Sequence, residues 1–538
     1  ILKILSHKNK MPLKIDKILK LPNIPIIFQL IRNTKNHLWL FVKKKHIWNM
    51  KKTFWFLLFL GASSAFAKAD SLETLKNIEL KEPTLNSITT EIQTIPSREL
   101  RPKLPGLVPF LEIIGQNVLV WGWDYFILEK DYAKISLDVW ERNLNEGWTW
   151  DDNHWAINFF GHPYQGSFYH VAARSSGFDF YPSLLFSAFG SWTWEYFAEQ
   201  EYPSFNDFVV TSVGGSLYGE MLFRLSQRLL TKPDPTWFEQ GQSFVLHPLS
   251  FLHWKVAGPR SNNPGYFPIA YSLALGGGYR FGSDYRYDKM PAERLDDDWE
   301  EINASATFML TYGYPDRKIK KPVDYFTVYA RYEYGQENQL FAMNTSAKLL
   351  NYSQSNYKDS WFDIGMYLNF DSYYGDLAKM GNLSLGIGLD LNIPLTQNIQ
   401  MRYKAEPGFI FLGSADFNYD ELLEEIIPNY EVTREYQYNY GARYFTSIHF
   451  KFFEKINVND RFNINLMKTM PNSEPHYGAH GYDIIGTNEL FAEYLFTKNV
   501  ALGIRLDSYF KIAAYTGEYF EPMSRTFHSV GFYNRLKF

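Results

Sequence analysis

Cysteine is absent from all 538 residues of this sequence. The chain therefore cannot form disulfides, use a thiolate nucleophile or bind a metal through sulfur. Two catalytic signatures are missing as well, because the sequence has neither the HExxH spacing of zinc peptidases nor a GxSxG turn around a serine. These absences predict that packing and hydrogen bonding stabilise the fold, and that the protein requires no cofactor or metal.

A secretion signal is present, although it begins at residue 50. Residues 50–52 form a short basic region, residues 54–60 are apolar, and residues 65–67 read Ala-Phe-Ala, which fits the signal-peptidase pattern. We expect cleavage near Ala67. Residues 1–49 read as upstream sequence translated ahead of the true start.

The chain beyond this signal has few basic residues for its acidic content. Removing residues 1–67 takes away 13 of the 54 Lys and Arg and one of the 58 Asp and Glu, which leaves 41 against 57. The resulting net charge is −16. A surface that acidic does not suit a nucleic acid, whose phosphates require a basic footprint, so no nucleic-acid partner is expected.

Alternating apolar and polar residues dominate the C-terminal half. In residues 383–393, Leu and Ile alternate with Ser, Gly, Asp and Asn, so one face of the strand is apolar and the other polar. Such strands are typical of a transmembrane β-barrel, where they lie between lipid and a lumen. The alternation recurs in residues 269–281, 302–314, 326–334, 339–352, 364–370, 399–405, 438–452, 462–466, 490–496, 502–512 and 528–538.

These segments predict a mainly β protein with an antiparallel transmembrane barrel of about twelve strands, within limits of ten to fourteen. The last segment ends on Phe538, and a terminal aromatic is the feature that outer-membrane barrels present to their assembly machinery. A soluble β-sandwich would also alternate, but it does not explain the secretion signal and the unbroken apolar faces together. The expected location is the outer membrane of a Gram-negative bacterium, with membrane lipid as a partner.

The polar faces of the predicted strands carry charges of both signs. Such charges either form ion pairs that hold a narrow barrel rigid or line an ion-selective pore, and the first alternative is favoured. The predicted lumen-facing charges are Arg331, Glu333, Asp363, Arg402, Lys404, Arg443, Glu489, Glu493, Arg505, Asp507, Arg535 and Lys537.

Upstream of the barrel, residues 116–230 show helical periodicity and form what we call the helical module. The predicted helices are residues 132–145, 155–175, 182–201 and about 204–230. Ser204 with Asp207 three residues later predicts an N-terminal cap. Gly214, Gly215 and Gly219 give the last helix a small-residue face for close packing. Proline-rich residues 68–115 and 231–266 are interpreted as an extended periplasmic linker and as a connector to the barrel at 267–538.

The predicted helices 155–175 and 182–201 each carry a stripe of polar residues spaced by four. Folding these helices back antiparallel about residue 178 would place His162 beside Glu195, and Arg174 near Ser187. The stripes and the third helix predict a buried polar seam comprising His162, His170, Arg174, Ser191, Glu195, Glu199, Asp207 and Glu220.

Three interpretations of this seam remain open. In the first, its partnered polar groups only fix how the helices pack. In the second it is a catalytic site, with His162 as acid and base, Glu195 as its orienting carboxylate, and Glu199 and Arg174 as further weak candidates. A metal held by His162, His170, Glu195 and Glu199 is the third and least favoured, since no metal-binding spacing is present.

The helical region resembles the bacterial family called domain of unknown function 3943, over roughly residues 120–230. The matching residues are Trp140–Asn143, Asn158–Pro163, Gly166, Tyr169, Ala173-Arg174, Gly177, Gly190-Ser191, Trp194-Glu195-Tyr196, Glu199, Asp207, Gly214-Gly215 and Gly219-Glu220. The family has no established activity, so the resemblance implies an envelope context but no reaction.

The expected architecture is a barrel with the helical module plugging its lumen or docking at its periplasmic mouth. The favoured function is a gated or plugged channel, or a binding barrel, for a small or amphipathic solute. The alternatives are an envelope structural or assembly factor that docks a periplasmic partner, and a lipid- or glycan-acting enzyme that uses His162 and Glu195.

Overall fold

A computed structural model describes most of the chain beyond residue 100. The described residues are 101–538 except 233, 261, 263, 265–266, 287–296, 356–359, 417–433, 475–479 and 517–521. The expectations for the signal, the upstream sequence and most of the predicted linker lie outside the described residues.

Twelve antiparallel strands close into a barrel, which confirms the predicted fold and strand number. Several strands are longer than their alternation predicted, because polar residues near their ends still pair with neighbours. The strands are β1 Ile269–Arg286, β2 Asp297–Tyr312, β3 Phe326–Tyr334, β4 Gln339–Ser355, β5 Trp361–Gly375, β6 Met380–Thr396, β7 Ile399–Asp416, β8 Tyr436–Phe452, β9 Ile456–Thr469, β10 His480–Leu495, β11 Val500–Thr516 and β12 Met523–Lys537.

The first and last strands close the barrel beside Phe538. Its N–H donates to the Tyr271 carbonyl at 2.8 Å, and the two rings stack with centroids 5.0 Å apart. The connections at this end of the barrel include residues 397–398 and 453–455, whereas the connection at 417–435 belongs to the opposite end. Because outer-membrane barrels turn their short connections toward the periplasm, we name the first end the periplasmic rim and the second the outer rim.

Ion pairs between strands that are not neighbours identify the lumen. Arg331 of β3 lies 3.0 Å from Asp507 of β11, and Arg443 of β8 lies 2.7 Å from Asp371 of β5. Such pairs cross the barrel interior, so the residues between lumen-facing positions point outward, as Phe370 does. All twelve predicted lumen charges make an ion pair with an opposite charge, which confirms the pairing interpretation.

The helical module is larger than predicted, because helices occupy both the end of the predicted linker and the predicted connector. Its helices are α1 Leu107–Phe126, α2 Leu137–Glu146, α3 His162–Ser175, α4 Phe180–Phe197, α5 Phe205–Val209, α6 Gly215–Leu230, α7 Trp237–Leu246 and α8 Pro248–Ala257. Single π-helical turns at Ile157–Gly161 and Val210–Gly214 lead into α3 and α6. No helix in the described part of the chain combines the length and the apolarity needed to cross a membrane.

Local sequence signals explain several of these helix boundaries. The Ser204 side chain accepts from the Asp207 N–H, which is the predicted cap. Thr236 and Glu239 form a complete capping box at the start of α7, and Pro248 occupies the first turn of α8, where a missing N–H costs nothing. A capping box and a proline thus mark the starts of the two helices in the predicted connector.

Small residues let α3 and α6 pack backbone against backbone. A Cβ added to Gly215 would lie 2.5 Å from the Gly166 Cα, and one added to Gly219 would lie 2.9 Å from the Ser167 carbonyl oxygen. Any larger residue at these positions would force the helices apart. The small-residue face predicted on the last helix therefore packs against α3.

The helical module docks on the outer wall of the barrel. Tyr218 of α6 stacks on Phe370 with ring centroids 5.2 Å apart, and Trp155 donates to the Ser414 hydroxyl at 2.8 Å. A Cβ added to Gly381 would meet the Phe159 ring at 2.3 Å. Each of these barrel residues points outward. The prediction that the module docks on the barrel is therefore confirmed. The expectation that it lies in the lumen or at the periplasmic mouth is wrong, because it covers the outer wall.

This docking surface crosses the wall from one rim to the other. It includes Tyr312 and Phe326 near the periplasmic rim and Leu412 and Tyr438 near the outer rim, all fully buried. The position of the module could not be predicted from the sequence, because an outward Phe or Leu gives the same alternating pattern whether lipid or a helix covers it. In the described part of the chain, the predicted lumen charges instead form ion pairs inside the barrel.

Candidate functional site

The lumen contains a cavity of about 450 Å³ in its periplasmic half. Its lining reaches Asn457 and Lys537, which lie at strand ends, so the cavity extends to the periplasmic rim. Its volume falls within the range of small-ligand pockets. The charged side chains that line it are Asp371, Arg402, Lys404, Glu406, Arg443, Arg461, Glu489, Glu493, Arg535 and Lys537.

Cations outnumber carboxylates in this lining, six to four. The excess is clearest near the rim, where Arg535 lies 3.0 Å and Lys537 lies 2.6 Å from the same carboxylate, Glu493. Deeper in, the charges balance, because the carboxylates of Glu406 and Asp371 face the cations of Lys404 and Arg443. One carboxylate cannot neutralise two cations, so the mouth of the cavity carries net positive charge.

An apolar cluster, which we call the lumenal plug, fills the half of the lumen nearer the outer rim. Tyr509 and Phe527 stack with ring centroids 4.7 Å apart, and Leu377 folds into the lumen from the β5–β6 connection. Arg525 donates to the Leu377 carbonyl at 3.2 Å, which holds this connection in place. The plug comprises Leu340, Ala342, Tyr373, Leu377, Ala378, Met380, Ile410, Ala415, Met467, Ile485, Tyr509 and Phe527.

A layer of ion pairs separates the cavity from the plug. Arg331 lies within 3.1 Å of both Glu489 and Asp507, and Arg505 pairs with Glu333 on the opposite wall. These pairs join β3 to β10 and β11 through the lumen. In the described part of the barrel, these pairs and the plug lie between the cavity and the outer rim, while the cavity extends to the periplasmic rim.

In the helical module, the predicted seam divides into two separate groups. The first surrounds Glu220, which accepts from His170 at 3.0 Å, from Arg174 at 2.6 Å and from Arg224 at 2.7 Å. Burial alone would raise the pKa of Glu220, but the two guanidinium groups and the imidazole outweigh it and hold that pKa well below its ordinary value. Arg224 also bonds Asp324 at 2.8 Å, and this bond ties the module to the β2–β3 connection.

The second group surrounds His162. Its Nε2 lies 3.5 Å from Asp207, and its Nδ1 lies 3.4 Å from the Thr211 hydroxyl. Burial raises the pKa of Glu195 and of Asp207 well above their ordinary values, raises the pKa of Glu199 to about 8, and lowers the pKa of His162. Desolvation therefore favours the uncharged form of each of these side chains.

The predicted helix register is wrong by more than a turn. Ser187 donates to the Gly166 carbonyl at 3.1 Å instead of lying beside Arg174, which turns to Glu220 because a buried guanidinium requires an anion. Glu195 accepts from the Ser204 N–H at 2.9 Å, and its other oxygen has no hydrogen-bond partner. The predicted pair of His162 with Glu195 is replaced by the pair of His162 with Asp207.

The other residues of the predicted seam are not brought together into a catalytic site either. Ser191 is buried with an unpartnered hydroxyl, and Glu199 accepts from the Trp194 indole. His170 belongs to the Glu220 group and His162 to the other, about 12 Å apart along α3. The four residues considered as metal ligands are therefore not assembled into one site.

One family model matches part of the chain. Residues 147–249 match the family described as domain of unknown function (DUF3943). This match confirms the resemblance predicted from the sequence over roughly residues 120–230. No curated protein matches the chain.

Solved structures similar to this chain are outer-membrane barrels. One is the TodX monoaromatic hydrocarbon channel deltaS2 mutant, 9% identical over 50% of this chain and 91% of that chain, with a TM-score of 0.23. A Pseudomonas aeruginosa FadL homologue is 8% identical over 51% and 91%, with a TM-score of 0.26. The Escherichia coli outer membrane protease OmpT is 8% identical over 51% and 98%, with a TM-score of 0.22. These likenesses carry no argument about a solute or a reaction.

Sequence reasoning missed the lumenal plug. The lumenal plug consists of residues such as Met380 and Ile485, whose inward direction depends on the register of each strand. A signal existed in β11 and β12, where Tyr509 and Phe527 fall on the same faces as the predicted lumen charges Asp507 and Arg535. Apolar side chains at polar-face positions predict a closed lumen.

Proposed function

We propose that this protein is an outer-membrane binding barrel that admits a small anionic solute from the periplasmic side and is closed toward the outside by its plug. The observation that carries the proposal is the chamber of about 450 Å³, with charged walls and a net positive mouth. A carboxylate or phosphate group would share the cations around Glu493. The proposal includes export by cleavage near Ala67 and assembly through Phe538.

The enzyme alternative has less support than the binding barrel. An acid and base must reach a common reacting atom, whereas His162 pairs with Asp207 and Glu195 with the Ser204 backbone. The cavity instead brings ten charged side chains to one chamber. Binding is therefore the function that the side-chain arrangement favours.

The binding proposal is tested by calorimetric titration of the purified full chain with small carboxylates and inorganic phosphate. Lys537→Gln should weaken binding at least several-fold, because it removes one of the two cations at Glu493. Lys318→Gln is the matched control, since it removes the same charge from an exposed site in the β2–β3 connection at the same rim. Equal affinity of both variants and the parent protein would contradict the proposed site.

Closure is tested by conductance in planar bilayers. The parent protein should conduct little, whereas Tyr509→Ala combined with Phe527→Ala should raise the single-channel conductance by removing the stacked pair from the plug. Phe532→Ala is the control, because this ring points outward from β12 and is 65% exposed. A parent protein that already conducts as well as the double variant would show that the plug does not close the lumen.

A further inference from the structure

The helical module exposes many large apolar side chains on the side that faces away from the barrel. Leu119 on α1 is 74% exposed, and Leu185 on α4 and Val245 on α7 are exposed to a similar degree. Soluble proteins do not leave apolar patches of this extent open to water. The surface therefore requires an apolar partner.

Helix α1 shows how complete this apolar surface is. It is about 30 Å long, and its only two charged residues are Glu112 and Asp124. Asp124 is buried, and Glu112 turns inward to pair with His253 of α8 at 2.9 Å. The next charged residues, Glu129, Lys130 and Asp131, lie beyond the end of α1. The outward face of α1 thus presents apolar side chains without interruption.

The position of the module identifies the partner. The module covers outward residues of the wall between the two rims, including Leu368 and Leu383, which a barrel otherwise presents to lipid. Uncovered residues on the same strands, such as Ile387 and Phe409, remain exposed. Whatever is packed against this wall stands at the depth of the hydrocarbon layer, so its own outer surface meets lipid as well.

The charges at the periplasmic rim fit the same placement. Arg317, Lys318 and Lys320 are exposed in the β2–β3 connection, next to the point where Arg224 of α6 bonds Asp324. Basic side chains at the edge of an apolar surface favour the level of anionic lipid headgroups.

We propose that the helical module is embedded in the outer membrane beside the barrel, and that its exposed apolar face binds lipid acyl chains. The face comprises the outward side chains of α1 with those of α4, α7 and α8. Continuity with the lipid-facing wall selects acyl chains over a second copy of the chain or another protein. This inference is independent of the solute proposed for the lumen.

The absence of cysteine makes single-cysteine labelling a direct test. Leu119→Cys and Val245→Cys are spin-labelled in the full chain, reconstituted in phosphatidylethanolamine and phosphatidylglycerol vesicles. Collision rates are measured with oxygen, which concentrates in lipid, and with a water-soluble nickel chelate. Ile387→Cys on the exposed wall is the lipid control, and Lys130→Cys just beyond α1 is the water control.

Both module positions should match Ile387→Cys, with an oxygen-to-nickel collision ratio several-fold above that of Lys130→Cys. A ratio equal to that of Lys130→Cys would overturn the proposal, because the face would then contact water. Protection from both reagents would also overturn it, because a protein surface would then cover the face. Binding of solute in the lumen plays no part in either readout.

Discussion

At the scale of single residues, the charged side chains buried in the helical module stabilise one another as ion pairs. Glu220 pairs with both Arg174 and Arg224 and accepts from His170, all within the interior of the helical module. Arg224 uses its remaining donors on Asp324 and the Pro322 carbonyl of the barrel. Removing one member of such a group leaves its partners buried and unpaired.

Glu220→Gln should therefore destabilise the protein by roughly 3–5 kcal/mol, because two guanidinium groups lose their shared anion. The pKa of Glu220 is lowered in the folded state, so its stabilising contribution is complete above the unfolded-state pKa and declines as the pH falls below it. Urea unfolding at neutral pH measures the loss. Glu141→Gln on the exposed side of α2 is the control, and an equally small effect of both changes would contradict the role of Glu220.

Glu199→Gln should have the opposite sign. Burial raises the pKa of Glu199 to about 8, so the folded state holds a proton that the unfolded state releases near pH 4.3. Stability therefore falls as the pH rises from about 4.3 to about 8. The variant, which cannot ionise, should unfold at a higher urea concentration than the parent near pH 9 and at the same concentration near pH 4. Glu201→Gln, at an exposed site, should show no such difference.

At the scale of elements, alternation predicted all twelve strands, because lumen and exterior differ in polarity along much of each strand. Helical periodicity likewise predicted α3, α4 and α6, but not α7 and α8, whose prolines resembled a connector although Pro248 lies in a first helical turn. The partner of each helix could not be predicted. His162 meets Asp207 of α5, which continues through a π-helical turn into α6, and the glycines of α6 pack against α3. No spacing within α3 shows this contact.

The docking of helices on strands predicts unequal effects for two outward phenylalanines. Phe370 of β5 is fully buried beneath Tyr218, whereas Phe409 of β7 is 56% exposed. Phe370→Ala should destabilise the contact between module and barrel by about 3–5 kcal/mol, as expected for a buried ring, and Phe409→Ala should have little effect. Limited proteolysis of the module in the folded protein measures this. Equal protection in both variants would contradict docking at Phe370.

At the scale of the whole molecule, two compact parts share one wall. The barrel encloses a charged chamber that is closed by the plug, and the module covers the outside of the same strands. Asp371 lies in the chamber wall while its neighbour Phe370 lies under the module. Neighbouring residues of one strand thus contribute to the chamber on one face and to the docking surface on the other.

The position of the module outside the barrel is the central claim, and disulfide trapping tests it most directly. Because the chain has no cysteine, Tyr218→Cys can be paired with Phe370→Cys on the outer face of β5, or with Tyr373→Cys on its lumenal face. Mild oxidation of the folded protein in membranes should link residue 218 to residue 370 and leave the pair with residue 373 unlinked. Rapid linkage to residue 373, with none to residue 370, would place the module in the lumen and contradict the account.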